Sequence, residues 1–210
     1  MPYTTEIKDR IVSHARERFF REGFSKTSID ELTAQLSMSK KTFYQIFKSK
    51  EDLLEHIVER KLGEINASME YILSQPHDSV QKLHEIIRYM GNTLSSMSKQ
   101  MMMDMQRQMP DLWTRIEQFR RERLTKNITL LLQQGMEEGF VRKNLNTRVF
   151  LLSYLASIQS IMQPSVLSHE SFSSKEALEA IMDIFFQGIL TETARTRLHQ
   201  LQLTQSSSTP

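Results

Sequence analysis

TSIDELTAQLSMSKKTFYQIFKSKEDL, residues 27–53, carries three helix starts in one short stretch. Ser28 and Glu31 have the spacing of a capping box, in which hydroxyl and carboxylate each bond the other residue's backbone amide. Ile29, Leu32 and Leu36 then mark one buried face of a short helix. Ser37-Met38-Ser39 interrupts that pattern. Ser39 is suited to cap a new helix, and Met38 before it with Phe43 after it matches a hydrophobic staple. This third helix is expected to run to about Lys48. Ser49 caps again, and a long amphipathic helix follows through Leu53, Leu54, Ile57, Val58, Leu62 and Ile65 until Pro76 closes it. Upstream, Ile7, Ile11, Ala15, Phe19, Phe20 and Phe24 recur at helical spacing, with Gly23 placed for a left-handed C-terminal cap.

Two short helices joined by a tight turn and braced by a preceding helix form a helix-turn-helix, which offers its second helix to the DNA major groove. At 100° per residue, Phe43, Ile46 and Phe47 fall on one side of that helix. Lys41, Gln45 and Lys48 fall on the other, with Thr42 and Tyr44 on the flanks. The chemistry of the outward set suits a duplex. Lysines neutralise phosphates or donate to guanine, Gln45 can pair with adenine, the Thr42 methyl can meet a thymine methyl, and the Tyr44 hydroxyl can bond a phosphate oxygen. From Leu32 to Lys50 the chain has Lys40, Lys41, Lys48 and Lys50 and no acidic residue. A formal net charge of +2 would not announce a nucleic-acid partner; this local concentration does.

With 210 residues, 39% of them hydrophobic and 25% charged, the chain can bury a core beyond the N-terminal module. It has no cysteine, which excludes disulfides, thiolate nucleophiles and Cys-bearing metal sites. The charged N-terminus does not read as a secretory signal, and no window approaches the roughly 20 apolar residues of a membrane span. A cytoplasmic protein without membrane contact is expected. His14, His56, His77, His84, His169 and His199 show no HExxH pairing, so no metal site is expected. Without a GxSxG elbow, phosphate loop or dinucleotide fingerprint, neither cofactor nor enzymatic activity is expected.

Beyond Pro76, every further segment up to a loose tail at residues 201–210 reads as helix, with PSVLSHESFSS read as a loop and no convincing strand. The fold class is all-α. The expected division is a helix-turn-helix domain over residues 1–50 and a larger helical domain over 51–200, joined by the helix from 50 to about 74. Met97, Met101, Met105 and Met109, with Trp113, are expected to line an apolar pocket that reshapes around a hydrophobic small molecule.

At residue level, the helix ending FFREGF followed by TSIDELTAQL, SMSKKTFYQIF and KSKEDLLEHIV resembles the tetracycline-repressor (TetR) family of bacterial regulators. The resemblance is specific over about residues 5–60 and looser beyond, at WTRIEQFRRERL and GMEEGFVRKNLN. It implies that the helical domain over 51–200 binds a ligand and dimerises, and that the ligand releases the homodimer from a palindromic operator on double-stranded DNA. The family's DNA-facing positions fall on Thr27, Ser39, Lys40, Lys41, Thr42, Tyr44, Lys48 and Lys50. The family's dimer interface, formed by the last helices, implies a role for Tyr154, Ile158, Ile161, Ile181, Phe185 and Ile189. Two positions depart from the pattern: Ser37 stands where the turn often has glycine, and Ile46 where an aromatic or histidine often precedes the final phenylalanine. The resulting expectation is a ligand-responsive regulator acting as a repressor. The alternative is a small-molecule-binding helical bundle that no longer binds DNA.

Overall fold

Serine hydroxyls set the starts of the second, third and fourth helices in the computed structural model, which describes residues 2–206. Helix α1, Pro2–Glu22, ends at Gly23, whose φ of +99° forms the left-handed cap. Helix α2, Ile29–Gln35, opens on the capping box: the Glu31 amide donates to Ser28 Oγ at 3.2 Å, and the Ser28 amide to Glu31 Oε2 at 3.0 Å. Helix α3, Lys40–Tyr44, is capped by Ser39 Oγ, which accepts from the Thr42 amide at 3.0 Å. Helix α4, Lys50–Ser74, starts where the Asp52 amide donates to Ser49 Oγ at 3.1 Å. Sequence periodicity carries α3 to Lys48; the structure ends it at Tyr44, where the chain tightens and the Ile46 amide donates to the Phe43 carbonyl three positions back.

The turn between α2 and α3 contains Ser37 with φ +52°, the left-handed region in which a Cβ is strained. Ser37→Gly should therefore raise stability by about 0.5–1 kcal/mol, less than the strain alone because glycine loses more entropy on folding. Thermal denaturation of the two proteins measures this. A lower melting temperature for Ser37→Gly would show that the serine is held by more than its backbone geometry.

The remaining helices are α5 (Ser79–Ser95), α6 (Lys99–Gln108), α7 (Pro110–Glu137), α8 (Thr147–Ile161), α9 (Pro164–His169), α10 (Ser174–Gln187) and α11 (Glu192–Ser206). Among the described residues there is no strand, only an isolated antiparallel bridge between Val141 and Leu190. The segment read as the loop PSVLSHESFSS contains α9, started by Pro164. The tail expected from residue 201 is helical to Ser206, and residues 207–210 lie outside the described residues. None of the described helices is long and apolar enough to cross a membrane.

The chain divides into two compact units. The first comprises Met1–Ile65 with Ser96–Ile116, the second Asn66–Ser95 with Glu117–Pro210. The division differs from the expected one at residue 50: most of α4, all of α6 and the start of α7 belong with the N-terminal helices. In the first unit Ile11, Ala15 and Phe19 of α1, Phe43 of α3 and Leu53 and Leu54 of α4 are fully buried. Phe19 and Phe24 meet edge to face with centroids 5.3 Å apart. Met101 and Met105 of α6 are equally closed in, and the Ser98 amide before α6 donates to the Phe20 carbonyl at 2.8 Å.

In the second unit α5, α8, α10 and α11 share a core of Val80, Leu83, Phe150, Tyr154, Ile158, Ile181, Phe186 and Leu198. The Tyr154 ring lies 5.5 Å from that of Phe185 and 6.1 Å from that of Phe186. Its hydroxyl donates to Met182 Sδ at 2.8 Å, and burial pushes the phenol well above its usual pKa. Four of the six residues expected at a dimer interface, Tyr154, Ile158, Ile181 and Ile189, thus fill this unit's own core. Only Ile161 and Phe185 remain half-exposed, because helical spacing alone does not say which of two apolar flanks faces inward.

Candidate nucleic-acid interface

Five residues are too few to hold a helix by backbone bonds alone, so α3 depends on its cap and its buried ring. Phe43 is fully buried and stacks obliquely on Phe47, with centroids 5.9 Å apart. With that side fixed, Lys41, Tyr44, Gln45 and Lys48 are exposed. Tyr44 keeps 53% of its surface, its ring standing edge-on to Phe43. Among the described residues no ion pair or hydrogen bond engages the side chains of Lys41, Gln45 or Lys48, although the Lys48 amide donates to Asp52 Oδ2 at 2.7 Å. These three are the free polar groups of the interface.

The other sequence-derived contacts are engaged within the fold. Lys40 forms an ion pair with Asp30 at 2.7 Å, and that hydrogen bond raises its pKa. Both partners are exposed, so the pair is exchangeable for a phosphate contact. The Ser39 hydroxyl caps α3 and lies 2.9 Å from the half-buried Thr42 hydroxyl. Thr27 is buried, its hydroxyl donating to the Gly23 carbonyl at 3.3 Å.

Lys50 is the clearest departure from the expected pattern. Its Nζ donates to the carbonyls of Phe24 at 2.9 Å and Thr27 at 3.1 Å, and sits 4.1 Å from the Phe24 ring centroid. The ammonium thus ties the start of α4 to the turn between α1 and α2, by charge-assisted hydrogen bonds and a cation–π contact. Lys50→Ala should lower the stability of the protein by about 1–3 kcal/mol, because two carbonyls lose a charged donor. Lys41→Ala and Lys48→Ala should leave the melting temperature within about 1 °C of wild type, as exposed substitutions do. Thermal melts of the three variants test the distinction; equal stability throughout would return Lys50 to the free cations.

A further residue of this unit went unseen in the sequence. Asp104 of α6 is buried, and its Oδ2 accepts from the Ser25 amide at 2.7 Å while Gln100 Nε2 donates to its Oδ1 at 2.8 Å. Burial alone would raise its pKa, but the bonds from Ser25 and Gln100 and from the Phe24 amide outweigh it and the net shift is downward. Gly23 permits this approach: a Cβ there would lie 2.9 Å from Asp104 Oδ2 and 2.7 Å from Gln100 Cγ. The opposite side of α2 is braced by α1, where Arg18 donates to Gln35 Oε1 at 2.9 Å and His14 Nε2 lies 2.7 Å from the same oxygen. No local signal marks Asp104, since its partner lies 79 positions away.

Met97, Met101, Met105, Met109 and Trp113 all belong to the first unit. Met101, Met105 and Trp113 are buried, Met97 and Met109 half-buried. A cavity of about 700 Å³ in the second unit is lined by none of them.

Residues 11–57, which span α2, α3 and the turns around them, match the pattern described as bacterial regulatory proteins, tetR family. In that segment the chain carries the tetR-family pattern of bacterial regulatory proteins. Its tetR-type segment therefore contains every exposed group on α3 and both ends of the Lys50 clamp. Similarity extends beyond that segment. An HTH-type transcriptional regulator from Bacillus subtilis, YvaF, is 24% identical over 184 residues, covering 87% of this chain and 95% of the relative. A Bacillus subtilis fatty acid metabolism regulator protein is 18% identical over 86% of this chain and 94% of its own length. The crystal structure of a tetR-family regulator from Agrobacterium tumefaciens superposes with a TM-score of 0.66 at 17% identity, covering 90% of this chain and 100% of that one. At that identity the structural match speaks for the fold. With this tetR-type segment, the chain is a DNA-binding transcriptional regulator.

Proposed function

We propose that the protein is a dimeric, ligand-controlled repressor that reads a palindromic operator through α3. The observation that carries this reading is the row of Lys41, Tyr44, Gln45 and Lys48, exposed on α3 and the turn that follows it, whose inner side is locked by Phe43. Such a short element reaches few base pairs, so useful specificity requires two half-sites, which a two-fold dimer supplies. The paired copy is met by apolar groups that the second unit leaves exposed, Val149 and Leu152 of α8 and Ile184 of α10, with half-buried Ile161 and Phe185. The effector is a hydrophobic small molecule, for which the methionines around α6 supply adaptable surface. The naming of one relative as a fatty acid metabolism regulator agrees with an apolar effector. Regulation, not catalysis, is the activity, and the cytoplasm is where operator DNA is met.

Fluorescence anisotropy on a labelled palindromic duplex, repeated across salt concentrations, tests the DNA reading. Lys41→Ala and Lys48→Ala should each reduce the slope of log K against log salt by about one per half-site contact. Gln45→Ala should instead change the preferred sequence. Uniform weakening by all three, with no change of preference, would remove direct base reading from α3 and favour a bundle that merely tolerates DNA.

A further inference from the structure

The cavity in the second unit lies between α5, α10 and α11, with α5 packed directly on both of the others. Its volume of about 700 Å³ falls within the range that holds small organic ligands. Ile87, Met182, Phe186 and Leu198 give it an apolar floor. The polar lining is divided by helix. From α5 come His84 and Arg88, one turn apart, and from α10 comes Asp183. Lys175 and Glu179, which also line it, face each other as an i,i+4 pair at 3.8 Å.

Among the described residues Arg88 and Asp183 have no ion-pair partner, so the cavity offers one free cation on α5 and one free anion on α10. His84 Nε2 is buried and makes no hydrogen bond. A buried nitrogen in that condition is costly until a group inside the cavity meets it. A purely anionic ligand would satisfy Arg88 and confront Asp183; a purely cationic one would do the reverse. An uncharged apolar ligand would leave both unanswered.

We propose that this cavity is a binding site for a dipolar amphiphile, a small molecule with an apolar body and both an anionic and a cationic group. The apolar body lies on Met182, Phe186 and Leu198, the anionic group meets Arg88, and the cationic group meets Asp183. His84 Nε2 hydrogen-bonds the ligand between them. The site shares no residue with the methionine helix, and its occupancy does not require that the protein repress a gene.

The test uses three amphiphiles with one dodecyl chain and different heads: the zwitterion dodecyldimethylammoniopropanesulfonate, the anion dodecanoate and the cation dodecyltrimethylammonium. Each is titrated below its micelle concentration into the full chain by calorimetry. The zwitterion should bind about tenfold more tightly than either singly charged probe, the difference one charge-assisted contact makes. Arg88→Ala and Asp183→Ala should each abolish that preference, and His84→Leu should weaken the zwitterion. Arg88 and Asp183 are exposed, so these two variants keep their fold, which circular-dichroism melts verify. Equal or tighter binding of the anion or cation overturns the proposal, as does a preference that survives both alanine variants. Repeating the titration with operator DNA separates this site from the regulatory reading: head-group selectivity with unchanged DNA affinity leaves the site standing and places the effector elsewhere.

Discussion

Ile184→Arg should convert the protein from dimer to monomer in sedimentation and weaken binding to a palindromic duplex by about a hundredfold or more, since each half-site is then met alone. Ile184 retains 71% of its surface within the chain, the most exposed of the large hydrophobic side chains described. A guanidinium there costs the isolated fold little, yet pairing two copies through that face would bury two unpaired like charges. Tyr154→Ala provides the contrast. It removes a ring that is only 1% exposed and packs on Phe150, Phe185 and Phe186, so it should cost about 3–5 kcal/mol of stability. An Ile184→Arg protein that remains dimeric and binds the operator at full strength would move the pairing face away from α8 and α10.

Asp104→Ala should weaken operator binding about tenfold or more while leaving the dimer intact. It removes the acceptor of the Ser25 amide and the partner of Gln100, at a cost of about 1–3 kcal/mol for a buried donor left unmet. The loss falls on the turn that carries Thr27 and the cap of α2. Asp104 also gives a pH signature. Its folded pKa is depressed, so its stabilising contribution is fully present above the unfolded value near 4 and disappears as pH falls through the folded value. Wild type should therefore lose stability more steeply than Asp104→Asn as pH drops from about 5. Superimposable pH–stability curves for the two would show that the carboxylate is not the group holding the turn.

Much of the first unit is legible in the sequence because its determinants are local. Ser28, Ser39 and Ser49 each cap an amide three positions ahead, and the Ile11, Ala15, Phe19 stripe is a matter of spacing. The left-handed backbone at Ser37 follows from the turn that the caps on either side enforce. Lys50 was read as a free cation because a sequence shows a charge but not the carbonyls 23 and 26 positions earlier that hold it. The same limit hid Asp104 and kept α6 out of the first unit, since both depend on chain segments brought together only by folding. Tyr154, Ile158 and Ile181 were placed on an interface for a related reason. Periodicity identifies an apolar face, whereas the choice between a neighbouring helix and a second molecule is made by packing.

The separation of labour on α3 bears on how such a protein can change its target. Phe43 and Phe47 hold the element in place, with Tyr44 edge-on to Phe43, while the side chains of Lys41, Gln45 and Lys48 hold nothing inside the fold. Substitutions among those three are therefore nearly silent for stability and fully audible to DNA. A lineage could wander from one operator to another through soluble, folded intermediates, never having to unlearn its architecture to acquire a new address.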